Sequence, residues 1–309
     1  MTRRRNQTDS VFKYLVLVFA TSLTAITIVY FYALVTGSSL TLKYGLSFVT
    51  GSIWDPNNNV FGALPSLYGS LVTAVIALLL GVPISIGVAV FLSELSPHRL
   101  RSPISFVVEM LAAVPSVVYG LWGLFVLGPL LSTYAYPFLQ RYIGFLPIFK
   151  GQIYGVSILT ASIVLAIMII PIISSISRDA LLAVPDSQRE AAYALGATKS
   201  EVINMSVLSY ARSGIIAAIF LGFGRAFGET MAVTMLIGNA PVISSSLLSP
   251  GYTLASLVAN EYGEAVAPTY TSALIEAGLL LLLVAFLTSF LGRLLIRRLI
   301  KSREAASYL

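Results

Sequence analysis

Six apolar runs alternate with short polar segments along the chain, at about 13–35, 66–93, 104–131, 151–177, 208–238 and 271–299. A bilayer's hydrocarbon core, about 30 Å thick, is crossed by roughly 20 helical residues, and a helix satisfies its own backbone polar groups without water. The pattern predicts an all-α, polytopic membrane protein with six transmembrane helices. The membrane domain is expected over 13–299, with polar segments at 1–12 and 300–309. Arg3-Arg4-Arg5 precedes the first run as in a secretory signal. That run is longer than a signal's apolar region, and no small-x-small site closes it, so it reads as a retained helix.

The polar connections differ in character. Residues 36–65 carry Trp54-Asp55-Pro56-Asn57-Asn58-Asn59, and 239–270 carry Asn239-Ala240-Pro241 and Ser249-Pro250-Gly251. Both read as compact loops with room for short re-entrant or interfacial helices. Pro115 interrupts the third run, with glycines at 120, 123 and 128, which predicts a kink and close helix contacts. Between the fourth and fifth runs lies the most polar insert, Pro185 to Ala211. Asp186 and Ser187 offer cap chemistry after Pro185, Glu190 favours the first turn, and Ala191, Ala192 and Ala194 are small helix formers. Gly196 allows a turn out of that helix.

Charge orients the spans. Of the 19 lysines and arginines, fifteen fall at 3–5, 13, 99–101, 178–212 and 293–303 and three, Lys43, Arg141 and Lys150, between the other span ends; Arg225 lies within a span. The positive-inside rule then places both termini, the 94–103 loop and the 185–208 insert in the cytoplasm. A chain that is 57% hydrophobic and 10% charged, with a mean hydropathy of +0.88, excludes a single water-soluble globule. Its net charge of +6 forms no basic face with interleaved aromatics, so nucleic acid is not an expected partner. There is no cysteine and one histidine, His98, read as a solvated loop residue, so thiolate chemistry and histidine–cysteine metal sites are excluded. No metal site and no catalytic residue is expected.

Inside the fifth run, Leu221 to Pro241 reads LGFGRAFGETMAVTMLIGNAP. Arg225 and Glu229 are four apart, so on a helix they share a face and can pair. Charges inside a bilayer are costly enough to make a functional reading the default, against the alternative of an ion pair that fixes helix packing. Gly224 and Gly228 form a small-xxx-small step beside them. Glu109 and Glu276 also fall inside predicted spans and are equally well read as helix contacts near an interface.

Three stretches carry a family resemblance. Glu190-Ala191-Ala192, then Leu195-Gly196-Ala197, then the apolar run from Val202 to Leu208 resembles the EAA loop of ABC-importer permeases. One departure is Ser209 after Leu208, where the family usually has proline. Val114-Pro115-Ser116-Val117-Val118-Tyr119-Gly120 is similar to a segment of PstC-type phosphate permeases, and Gly224 to Ala232 looks like their GRAxGETMA signature. The resemblance implies a type I ABC importer permease with a cytoplasmic coupling helix between helices 4 and 5, in which Glu190, Ala191, Ala192 and Gly196 serve the ATPase contact. It implies a substrate pathway at Arg225 and Glu229. It also implies a PstA-like second permease, two copies of a cytoplasmic ATP-binding subunit and an extracytoplasmic phosphate-binding protein, all around a membrane lipid bilayer. The chain has no G-x-x-x-x-G-K-[ST] loop, so it is expected to bind no cofactor itself, and ATP and Mg belong to the partner ATPase. A permease for another anion, such as sulfate or molybdate, and a secondary transporter remain as alternatives.

Overall fold

A computed structural model describes the backbone of residues 2–306 and the side chains of 10–97 and 99–298. Arg3, Arg4, Arg5, His98, Lys301 and Arg303 therefore lie outside the described side chains. Six helices are long and apolar enough to span a membrane: Ser10–Gly37, Leu64–Leu95, Ser116–Ile143, Ile158–Leu182, Lys199–Gly228 and Pro268–Arg298. The first and last belong to longer helices, Thr2–Gly37 and Pro268–Ala306, that run on into the terminal segments.

The fourth span is the axis of the bundle. Ala161, Val164, Leu165, Ile169 and Ile173 on it are buried, packed with Ala74 and Ala77 of the second span and Ala218 of the fifth. Small residues at these contacts let the helices approach closely, which is how helices associate where lipid is as apolar as leucine. At Gly222 an added Cβ would sit 2.5 Å from the Ile173 side chain. The first span is the peripheral one, with no residue of its apolar window buried.

Two spans differ most from the hydropathy expectation. The third runs over 116–143, not 104–131, because the chain breaks at Val114-Pro115. Proline disfavours helical backbone in the residue before it, and Val114 is extended (φ −65°, ψ 127°). Residues His98–Ala113 form a separate helix. The Tyr119 hydroxyl donates to the Leu111 carbonyl across the break, and Arg178 of the fourth span donates to Ser105 Oγ at 2.7 Å. Glu109 consequently lies outside the spans, 60% exposed and 3.9 Å from Arg178. The fifth span covers 199–228, not 208–238. It starts early because Thr198 and Glu201 form a capping box, with the Thr198 backbone N–H donating to Glu201 Oε2 at 2.7 Å. It then passes through a π-helical stretch, Val202–Leu208, and Ser209 continues it without a bend (φ −63°, ψ −36°).

The fourth helix begins only after Ser157, whose hydroxyl accepts from the Thr160 N–H, so residues 151–157 are loop. At that end of the bundle, 36–65 folds into three short helical turns and a ribbon of two-residue strands pairing Trp54 with Phe61. The Asp55 carboxylate caps the ribbon's turn, accepting from the Asn57 and Asn58 N–H groups and Asn58 Nδ2, which lower its pKa. The 239–270 loop contributes the helix Leu254–Glu261. Its Glu261 carboxylate accepts from Trp54 Nε1 at 2.7 Å and from the Tyr252 and Tyr270 hydroxyls, tying both loops to the sixth span.

Candidate functional site

Two places carry the candidate residues, and they lie at opposite parts of the fifth span. The first is the polar insert. Residues Asp186–Ala194 form a nine-residue helix. Its N-cap is Pro185, with no side-chain cap, so the expected capping by Asp186 and Ser187 is not what the structure has: Asp186 stands in the first turn, where its charge suits the helix dipole, and pairs with Arg189 at 3.2 Å. Gly196 follows with φ +84°, a left-handed conformation that glycine adopts at no steric cost. The Gly196 N–H donates to the Tyr193 carbonyl and the Ala197 N–H to Ala192, which closes the helix.

This helix has an inner and an outer face. Ala192 and Ala197 pack against buried Ala89, Leu181, Val184 and Val202. Glu190 and Ala191 are exposed, and beside them stand exposed apolar groups, Leu195 at 90% and Met205 at 74%. Hydropathy gave no sign of Arg189, which turns inward to Glu94 at the end of the second span, 2.8 Å away. Those hydrogen bonds to Glu94 raise its pKa further.

The second place is the far end of the fifth span. The expectation that Arg225 and Glu229 share one continuous helix does not hold. The helix ends at Gly228, and Glu229 is extended (φ −70°, ψ 126°) before a short helix, Met231–Leu236. The pair forms all the same: Arg225 Nη2 lies 3.6 Å from Glu229 Oε2, with side chains 44% and 7% exposed. The break turns the carboxylate inward, where Oε1 meets the Ala232 N–H at 3.5 Å, while the guanidinium stays half open.

Glycines at 224 and 228 border this pair, and an added Cβ at either would meet nothing within 4 Å. No helix among the described residues fills the small-xxx-small step, so the guanidinium looks onto an open face. The structure thus brings Arg225 and Glu229 together, and separately Glu190, Ala191, Ala192 and Gly196, with the span Lys199–Gly228 running between the two places. Glu276, in the sixth span, is buried with no hydrogen-bond partner for Oε2.

Residues 81–301 match the family described as binding-protein-dependent transport system inner membrane component. The chain is 50% identical to a phosphate transport system permease protein PstC of Xylella fastidiosa, over 82% of its length and 80% of that protein's. It is 44% identical to the PstC of Haemophilus influenzae over 95% of both. Among solved structures, a chain of a bacterial alginate ABC transporter in complex with a pentasaccharide-bound periplasmic protein superposes with a TM-score of 0.60 at 16% identity, covering 91% of this chain and 94% of that one. A chain of the MetNI methionine ABC transporter in an inward-facing conformation does so at 0.54 and 19%, covering 75% and 93%. At such identities the superpositions speak for the fold.

Proposed function

Because the chain belongs to the binding-protein-dependent transport system inner membrane component family, and within it to the PstC-type phosphate permeases, we infer that it forms part of the transmembrane pathway for inorganic phosphate in an ABC importer. It is a multi-pass inner membrane protein and a transporter, not an enzyme, and it works with the other components of an ABC system. The finer assignments that follow extend that reading.

Arg225 meets the anion. Its planar fork offers bidentate hydrogen bonding to a tetrahedral oxyanion and stays cationic when desolvated. Glu229 balances that charge when the site is empty, so that phosphate is held loosely enough to leave. The observation that carries this is the asymmetry of the pair: a nine-tenths-buried carboxylate holding a half-exposed guanidinium at a helix break, beside a glycine face that no described residue covers. That face suits a second permease of PstA type, the two chains enclosing the pathway between them. At the other end the Asp186–Ala194 helix is the coupling helix. Its small outer residues seat in an ATP-binding subunit, of which the complex holds two copies, and ATP and Mg stay with those subunits. Both termini face the cytoplasm, as do the 1–12 and 300–309 segments, and the ribbon end faces an extracytoplasmic phosphate-binding protein.

The test is reconstitution of the four-component complex in lipid vesicles with labelled phosphate, sulfate and molybdate. ATP-dependent phosphate accumulation that needs the binding protein supports the reading. Preferential accumulation of sulfate or molybdate would replace the substrate, and uptake without the ATPase would replace the class.

A further inference from the structure

Arg189 uses its whole guanidinium. Nη2 donates to Glu94 Oε1 at 2.8 Å and to the Leu181 carbonyl at 3.1 Å, Nη1 to the Val184 carbonyl at 2.6 Å and to Asp186 Oδ1 at 3.2 Å, and Nε to Glu94 Oε2 at 3.4 Å. All five N–H donors of an arginine are thereby engaged. These partners come from three elements: the last turn of the second span, the C-terminal end of the fourth, and the short helix itself. The last carbonyls of a helix lack partners further along it, and Arg189 donates to one of these, Leu181, and to the Val184 carbonyl just beyond the fourth span's end. Both side chains of the ion pair are largely shielded, at 17% and 12% exposure, unlike the solvated pairs that contribute little. A further tie runs to the fifth span, where Ser206 Oγ donates to the Gln188 carbonyl at 3.0 Å. Glu94 sits in a π-helical turn, Phe91–Leu95, and Ser206 in another, the kind of irregularity found at functional sites in helices.

We propose that Arg189 is a positioning residue for transport, a clamp that makes the Asp186–Ala194 helix and the ends of the second and fourth spans move as one body. The proposal rests on that helix being the coupling helix. Arg189 and Glu190 are neighbours with opposite duties: Glu190 and Ala191 face outward to the ATP-binding subunit, while Arg189 reaches inward to the spans. A push on the outer face is delivered through a five-bonded fork rather than through a nine-residue helix hinged on Pro185 and Gly196. The central fourth span receives it directly, and through it the packed contacts of the second and fifth.

The experiment measures phosphate imported per ATP hydrolysed in the reconstituted four-component complex, for the parent, Arg189→Gln, Arg189→Lys, Glu94→Gln and the double Arg189→Gln/Glu94→Gln. The two single glutamine variants should assemble and hydrolyse ATP, with the phosphate-to-ATP ratio reduced about five- to tenfold, the scale of a modest coupling free energy. The double variant should be no worse than either single one, since both cut the same link. Arg189→Lys keeps the charge but not the fork, and should recover only part of the ratio. A purely structural pair would lower yield or melting temperature and leave the ratio alone. Any assembled glutamine variant with the parental ratio overturns the clamp. So does loss of the ATP-binding subunit from both single glutamine variants, which would place the pair in assembly instead. A parent complex that hydrolyses ATP without importing phosphate sinks the permease reading itself, a result visible before any variant is made.

Discussion

Arginine inside a bilayer stays charged, so its neighbours decide what that charge does. At Arg225 the neighbour is a buried carboxylate, on extended backbone at residue 229, whose Oε1 accepts from the Ala232 N–H at 3.5 Å. Replacing Arg225 with alanine leaves Glu229 buried and unpaired, and losses of about 2 kcal/mol or more are usual when one partner of a shielded pair is removed. Phosphate uptake by assembled Arg225→Ala complexes should fall at least about thirtyfold by that measure; parental uptake would make the pair packing alone. Glu229→Gln keeps the shape and an oxygen for the Ala232 N–H but loses the charge. A carboxylate accepts a hydrogen bond from a protonated phosphate oxygen, which sulfate, fully ionised at neutral pH, does not have. The variant should therefore impair phosphate uptake while relaxing rejection of sulfate, read from competition between the two labelled anions. The pairing itself was legible from a four-residue spacing. Its asymmetry was not, because spacing assumes a continuous helix, and the chain leaves the helix between the two residues.

Among elements, the insert shows how local chemistry and distant contacts divide the work. Alanines, Pro185 and Gly196 suffice to predict a short helix that stops, and Gly196 has the left-handed backbone that a stop requires. A β-branched residue there is strained by about 1–3 kcal/mol. Gly196→Val should therefore leave the protein inserted but loosen the turn, lowering recovery of the ATP-binding subunit on purification; undiminished recovery with normal uptake would count against the coupling role. Glu190→Lys should act on the same readout without touching the turn, since Glu190 is exposed and its reversal alters only the outer face. Arg189 was invisible at this scale. Its main partner is 95 residues away in sequence, and only the packing of the second span against the fourth brings Glu94 within reach.

For the whole molecule, fifteen basic residues against three lead to a prediction of topology by the positive-inside rule. A membrane-impermeant thiol reagent should label an Asn58→Cys variant from outside intact cells and a Lys199→Cys variant only after permeabilisation. The chain has no cysteine to interfere. Labelling of both from the same side would overturn the arrangement in which Lys199 opens the fifth span at one end and Asn58 lies in the loop before the second span. The peripheral first span, which buries nothing in this chain, marks how much of the surface is left for lipid and for other subunits.

Hydropathy is a sum over neighbours in sequence, which is why the number of spans, their order, the polar insert and the charge asymmetry were all determined by the sequence alone. Where a helix breaks is a different kind of fact. The freed backbone groups at Val114-Pro115 and at Glu229 must be satisfied or tolerated by what packs there; Pro115 signals a kink but not that the span begins after it, and the Arg225–Glu229 spacing does not show that the helix ends between the two. The same holds for the empty face at Gly224 and Gly228 and for the fork of Arg189. Only the tertiary structure decided these, because a buried charge or an open glycine is defined by the helices that do or do not come against it.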